Sequence, residues 1–245
     1  MKQNKYDDNI FFEKYSNMEH SKNGLEAAGE WHELKKLLPN FQNKRVLDLG
    51  CGFGWHCRFA VENGAKSVVG IDISQKMLSE ARNKTSSEKI QYICMPIEEI
   101  DFPINSFDIV ISSLTFHYIQ SFEDVLSKVS KCLTNGGDFV LSVEHPIFTA
   151  QGPQDWHYDN QGNKLHWPVD QYFTEGARRA VFLGEEIVKY HKTLMTYLNG
   201  LIKSGFEITG IVEPKLAEEL LNTVPGMLDE LRRPMMLLVS STKKG

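Results

Sequence analysis

Five short runs rich in β-branched residues, RVLDLG, SVVGID, KIQYICM, FDIVISSL and GDFVLSV, follow one another through the middle of the chain. Each is followed by a segment of helical period or by a cluster of turn residues. Strands that are apolar on both faces and alternate with helices predict a parallel sheet covered on each side. Towards the end, GFEITGIVEP and PMMLLVSS read as two further strands, joined through a helical patch, KLAEELLNTV, and a loop containing Pro225 and Gly226. Two stretches stand outside this rhythm. The first forty or so residues read as two amphipathic helices, and the region from His145 to about Tyr190 reads as an insertion packed over the carboxyl edge of the sheet. Within that insertion, in QDWHYDNQGNKLHWPVD, Asn160, Gly162 and Asn163 mark a turn between two short strands.

In an open α/β sheet the ligand lies beyond the carboxyl ends of the strands, where strand order reverses, and the first βα turn is the usual place. Gly50, Gly52 and Gly54 fall on that turn, in VLDLGCGFG. A helix following such a turn offers unpaired N–H groups to a carboxylate or phosphate. Asp72 ends the second strand, where an acid accepts hydrogen bonds from the two hydroxyls of a ribose. Together these features point to an adenosine derivative. The dinucleotide fingerprint is G-x-G-x-x-G, whereas here the glycines alternate and Asp48 precedes the first by two residues. A carboxylate there repels a pyrophosphate but suits the ammonium of an amino acid, directly or through water. That favours a cationic methionine moiety over NAD.

Charge and cysteine usage narrow the remaining classes. The net charge of -5 gives no electrostatic reason to expect binding to a polyanion, so nucleic acid is not expected as a partner. Cys51, Cys57, Cys94 and Cys132 form no CxxC pair, which predicts a reduced intracellular chain with neither a metal site nor a disulfide framework. The amino terminus, MKQNKYDDNIFF, lacks the pattern of a secretory signal, and no stretch approaches the length of a membrane span; a cytoplasmic location is expected.

The stretches VLDLGCGFG, then VVGIDIS with MLSEAR, then MPIEEIDFPINSFDIVISSLTFHYI, then LTNGGDFVLSVEHP resemble the successive motifs of class I S-adenosylmethionine-dependent methyltransferases. The branch resembled is the small-molecule, ubiquinone/menaquinone-biosynthesis-like group with a methyltransferase type 11 domain. The likeness is close over residues 44–145 and looser at the end. It implies a Rossmann-like α/β fold with a seven-stranded sheet of order 3-2-1-4-5-7-6, the last strand antiparallel and helices on both faces. It divides one methyltransferase domain into an N-terminal helical lid (1–40), a cofactor-binding core (41–145), a substrate-cap insertion (146–190) and the C-terminal part of the sheet (191–245). The cofactor implied is S-adenosyl-L-methionine, leaving S-adenosyl-L-homocysteine as product, with a small-molecule methyl acceptor.

Carried over residue by residue, the resemblance puts Gly50, Cys51 and Gly52 along the methionine part and Asp72 on the ribose, with Ile73 against the adenine and Met77 nearby. Pro96, Ile97 and Glu98 occupy the adenine-edge motif, where the family often has Asp or Asn before a small residue and this chain has Met95-Pro96. Ser113 and Leu114 end the fourth strand beside the methionine group, and Tyr15 reaches the cofactor from the lid.

The chemistry asks little of the protein: align a nucleophile in line with the methyl and sulfur, exclude water and, where necessary, remove a proton. His117 and His145 follow the fourth and fifth strands and are candidates for the base, as is His191, read as the start of a helix. Each also has a structural reading, and no single base is assigned. Phe11, Phe12 and Tyr15 share one helical face, with Trp31 and His32 on the next, which suits a lid over the cofactor and equally a docked helix. Trp156, Tyr158, His166, Trp167 and Tyr172 suit either an aromatic acceptor cavity or the small core of the insertion. Arg178, Arg179, Arg232 and Arg233 are candidates to face an acidic acceptor, or surface ion pairs. O-, N-, S- and C-methylation all stay open. A non-catalytic cofactor-binding module is the rival reading; an NAD-dependent oxidoreductase fits the glycine spacing less well, and no G-x-S-x-G elbow is present.

Overall fold

The computed structural model describes residues 4–216, 221 and 226–245. Its helices are α1 (Asn9–Ser16), α2 (Glu19–Asn23), α3 (Trp31–Leu37), α4 (Trp55–Glu62), α5 (Gln75–Asn83), α6 (Phe122–Cys132), α7 (Pro146–Thr149) and α8 (Leu194–Lys203). Its strands are β1 (Arg45–Leu49), β2 (Ser67–Asp72), β3 (Ile90–Cys94), β4 (Phe107–Ser113), β5 (Leu133–Glu144), β6 (His157–Tyr158), β7 (Lys164–His166), β8 (Gly176–Phe182), β9 (Glu185–His191), β10 (Phe206–Val212) and β11 (Met236–Lys243).

Seven strands form one sheet in the order β3-β2-β1-β4-β5-β11-β10. The first five are mutually parallel, and β11 runs antiparallel to both its neighbours. This is the expected order, with the expected antiparallel last strand. Strand β1 shows why the sheet is covered on both faces. Val46 packs with Phe41, Ala60, Val68 and Ile109 on the α4 side, while Leu47 and Leu49 pack with Ile71, Val110 and Leu141 in the opposite layer. The Arg45 guanidinium and backbone N–H both bind the Asp108 carboxylate, at 2.8–3.0 Å, which pins β1 against β4. Helix α6 buries Phe122, Val125, Leu126, Val129 and Cys132, one stripe at helical spacing, against the same layer as Leu47.

The peripheral parts differ from expectation. The opening segment holds three short helices and 3-10 turns where two helices were expected. The insertion contains the expected turn around Asn160–Asn163, where the Asp159 carboxylate accepts from the Gln161 and Asn163 amides. It also contains a second, longer hairpin, β8–β9, that the sequence reading missed. Its two-residue turn is Leu183-Gly184, both with positive φ (55° and 79°), the type I′ geometry for which Asn-Gly is the usual signal. Leucine at the first position hid it. His191 therefore ends a strand, and the helix after it starts at Leu194 behind the N-cap Thr193. Most of the expected patch KLAEELLNTV, with Pro225, lies outside the described residues; Gly226 has φ 84° ahead of a 3-10 turn. Among the described residues, no helix is long and apolar enough to cross a membrane.

Candidate active site

Strand order reverses between β1 and β4, and a crevice opens beyond their carboxyl ends. The turn leaving β1 is tied to β2: the Gly50 and Cys51 amides both donate to the Ile71 carbonyl, at 2.8 and 2.9 Å, and the Gly52 amide donates to Asp72 Oδ2 at 2.9 Å. Gly50 and Gly52 both have positive φ, 76° and 51°. A Cβ on Gly50 would lie 2.0 Å from Thr115 Oγ1, so packing excludes it; a Cβ on Gly52 would meet nothing within 4 Å. The space in front of Gly52 is the mouth of the crevice. Asp72 Oδ1 accepts the Ser74 amide at 2.8 Å, and burial pushes the Asp72 carboxyl up to about 6.

That space is a cavity of about 690 Å³, within the range of roughly 300–1,000 Å³ usual for small-molecule sites. Gly50, Cys51, Gly52 and Asp72 line it at the β1 and β2 ends; Ile73, Met77, Pro96, Ile97 and Glu98 line it beside β3. Ser113 and Leu114 line it at the end of β4. Leu114 is held at φ 51° by its amide, which donates to the carbonyl and hydroxyl of Ser142, a conformation costing a non-glycine residue about 1 kcal/mol or more.

Tyr15 also lines the cavity, from a roof built by the opening segment. Asp7 fastens that segment to the start of α5, accepting from Ser74 Oγ at 2.6 Å and from the Lys76 amide at 3.0 Å. Phe11 is buried against Phe182 and Ile187 of the β8–β9 hairpin, so the opening segment and the insertion meet above the crevice. Trp31 and Leu34 are buried instead against Val140 and Leu238 of the sheet; that part of the segment is docked core.

The far end of the cavity is polar. His117 is 2% exposed, and its Nδ1 accepts the Glu144 amide at 3.3 Å. Nδ1 is thus spent as an acceptor and Nε2 carries the proton. Burial pushes the imidazole down to about 4, so it is neutral at ordinary pH. Beside it, Glu144 pairs with the buried Lys189 ammonium and accepts from Gln154 Nε2 at 2.8 Å; Gln154 Oε1 accepts from Lys189 in turn, also at 2.8 Å. Burial acts to raise the Glu144 carboxyl, but the Lys189 ammonium and these hydrogen bonds hold it below its ordinary value.

Several expected site residues lie elsewhere. Asp48 is 1% exposed beneath the glycine turn and is not among the residues lining the cavity; it accepts from Cys57 Sγ at 3.2 Å, and burial raises it to about 7. Alternation along β1 turns its side chain under the turn, toward α4, away from the ligand space. His145 caps α7 through Nδ1 and pairs with Glu213 through Nε2 at 2.9 Å, outside the cavity lining. His191 is fully buried between the Thr149 hydroxyl and the Tyr172 carbonyl, each 2.8 Å away.

The aromatic cluster of the insertion encloses a side chain of the same chain. The Arg233 guanidinium lies 4.2 Å from the Trp167 ring, 4.6 Å from Phe148 and 5.5 Å from Trp156, with Glu230 as its ion-pair partner at 2.9 Å. Arg232 sits over Trp156 and binds Asp229; Arg179 pairs with Glu186, and Arg178 donates to backbone carbonyls. Trp156, Tyr158, His166, Trp167 and Tyr172 are absent from the cavity lining. Sequence reasoning in turn missed Glu30, Glu144 and Lys189, which do line it. Among the described residues, no group of three or more His, Cys, Asp or Glu is placed to hold a metal ion.

Residues 47–141 match a family model described as a methyltransferase domain. A solved S-adenosylmethionine-dependent methyltransferase from Mesorhizobium loti is 41% identical, with a TM-score of 0.83 over 90% of this chain and 100% of that one. A solved Listeria monocytogenes protein assigned to the same class is 56% identical, with a TM-score of 0.86 over 91% of this chain and 100% of that one. A tRNA U34 carboxymethyltransferase of Histophilus somni is 35% identical over 133 residues, 51% of this chain and 41% of that relative, so the chain spans about two fifths of its length. With a relative named for tRNA, the net charge of -5 is not sufficient ground for excluding nucleic acid.

Proposed function

Because the chain belongs to the S-adenosylmethionine-dependent methyltransferases and uses that cofactor, we propose that its acceptor is a small molecule held in the covered half of the cavity. The observation that carries this reading is continuity. One cavity runs from Gly52 and Asp72 to Glu144 and Lys189, under the opening segment and the β8–β9 hairpin. An acceptor enclosed there has to be small.

The residues present fit the cofactor: the backbone at Gly52 faces open space, and Asp72 presents a half-buried carboxylate to the same space. When bound, S-adenosylmethionine supplies a methyl group already activated for in-line displacement. In this reading Asp72 accepts the ribose hydroxyls, while Ile73, Met77, Pro96 and Ile97 give the base an apolar wall beside Glu98. Of the opening segment (1–40), the part up to Glu30 acts as roof, and of residues 146–190 the β8–β9 hairpin acts as the acceptor cap, excluding water.

At the polar end, His117 Nε2–H is a donor and Glu144 an acceptor, which orient the substrate. Neither is a strong base, since His117 lies near 4 and Glu144 below its ordinary value. That favours an acceptor atom that needs no proton removed at the moment of attack, such as a carboxylate oxygen or a neutral amine nitrogen.

Incubation with methyl-tritiated S-adenosylmethionine, a bacterial metabolite extract and, separately, bulk tRNA and bulk protein tests the proposal. Label in the acid-soluble metabolites is expected. Label confined to tRNA or to protein overturns it.

A further inference from the structure

Asp48 lies beneath the glycine turn and off the cavity lining, while another carboxylate lines the cavity itself. We propose that Glu30 is the counter-charge for the α-ammonium of the bound cofactor, so that the opening segment supplies part of the cofactor site itself. This rests on the methyltransferase reading of the cavity.

Glu30 is 4% exposed and lines the cavity. Among the described residues, no Lys, Arg or His comes within ion-pair distance of its carboxylate; the nearest side-chain donor is Ser113 Oγ, at 3.5 Å. A buried carboxylate with no cation is costly, and burial pushes this one above its ordinary value. Its place is held from behind. The next residue, Trp31, is buried in the sheet-side cluster with Leu34, and its indole N–H donates to Glu26 at 3.0 Å, so the start of α3 is fixed and Glu30 with it.

Position assigns the ligand group. Asp72 ends β2, and Ile73, Pro96 and Ile97 lie on that side of β1; Ser113 ends β4, on the other side. A cofactor with its ribose at Asp72 and its base toward β3 extends its amino-acid end across Gly50 to β4. Glu30 stands there, against Ser113. Asp48, the acid on β1, lies under the turn and off the cavity lining.

Calorimetric titration of wild type and Glu30→Gln with S-adenosylhomocysteine, and with 5′-methylthioadenosine, which lacks the amino-acid end, separates the outcomes. Loss of a charged hydrogen bond is expected to weaken S-adenosylhomocysteine roughly ten- to a hundredfold, leaving 5′-methylthioadenosine unchanged. Equal affinity for S-adenosylhomocysteine in the two proteins overturns the proposal, as does an equal loss for both ligands. If Glu30→Gln does not fold, Glu30→Asp, which keeps the charge but withdraws it by one methylene, is read by the same pair of ligands and the same criteria. Wild type that binds neither ligand overturns the cofactor reading, and this inference with it.

Discussion

The Gly52 amide donates to Asp72 Oδ2 at 2.9 Å, which makes the glycine turn after β1 and the acid that ends β2 one hydrogen-bonded unit. The second oxygen of the same carboxylate holds the Ser74 amide at the start of α5. Asp72 therefore shapes the pocket as well as facing it. Asp72→Ala strips an acceptor from two backbone amides, so a loss of about 1–3 kcal/mol in stability is expected in urea titrations of the ligand-free protein. A variant as stable as wild type contradicts this double role.

Asp48 predicts how stability varies with pH. Its carboxyl, raised by burial to about 7, holds a proton in the folded chain that the unfolded chain has already released. Between the unfolded value, about 4, and the folded value, the folded state binds more protons, so this contribution to stability is fully present below pH 4 and is lost as pH rises toward 7. The loss attributable to Asp48 is on the order of 4 kcal/mol. Asp48→Asn should flatten the fall between about pH 4 and 7, measured by denaturant midpoints across that range. The same slope in wild type and variant would show that Asp48 is ionised throughout.

His117 predicts a silent imidazole. With Nδ1 accepting from the Glu144 amide and burial pushing the ring down to about 4, the proton sits on Nε2 and stays there through neutral pH. Nitrogen-resolved NMR should find an Nε2–H tautomer with no titration between about pH 6 and 8. A midpoint near the ordinary histidine value would restore His117 as a candidate base.

Arg233 predicts that the insertion is locked onto the chain's end by a stacked cation. It packs on Trp167 and Phe148 and neutralises Glu230, which is itself largely buried. Arg233→Ala should cost about 2–4 kcal/mol and raise the exposure of Trp156 and Trp167 to fluorescence quenchers. Unchanged stability and quenching would remove the lock.

The legible and illegible parts of this chain divide along physical lines. The strands and their parallel, doubly covered sheet followed from runs such as RVLDLG and FDIVISSL, because strands buried on both faces must be apolar throughout; their order came from the family resemblance. The placement of Gly50, Gly52 and Asp72 at the crevice was legible because a tight βα turn with positive φ constrains residue type locally. Asp48 misled because spacing along a strand gives proximity to the turn without giving the face, and the pleat turns it under. Glu30 was invisible because Glu-Trp-His at a helix start looks like any amphipathic surface. Its burial is a tertiary fact. The aromatic residues of the insertion posed the same difficulty in reverse: a ligand pocket and a cage around Arg233 draw on the same residue types. At Leu183-Gly184 the flanking strands imposed a backbone that the residue type does not advertise.

Whether the crevice at Gly52 and Asp72 takes S-adenosylmethionine separates the cofactor reading from its NAD rival. The most direct measurement is a calorimetric titration of the purified protein with S-adenosylmethionine and S-adenosylhomocysteine, alongside NAD. One site per chain is expected for the first two, at micromolar affinity or about −8 kcal/mol, and no heat with NAD. Silence from both sulfur compounds, or binding of NAD in their place, would contradict the cofactor reading.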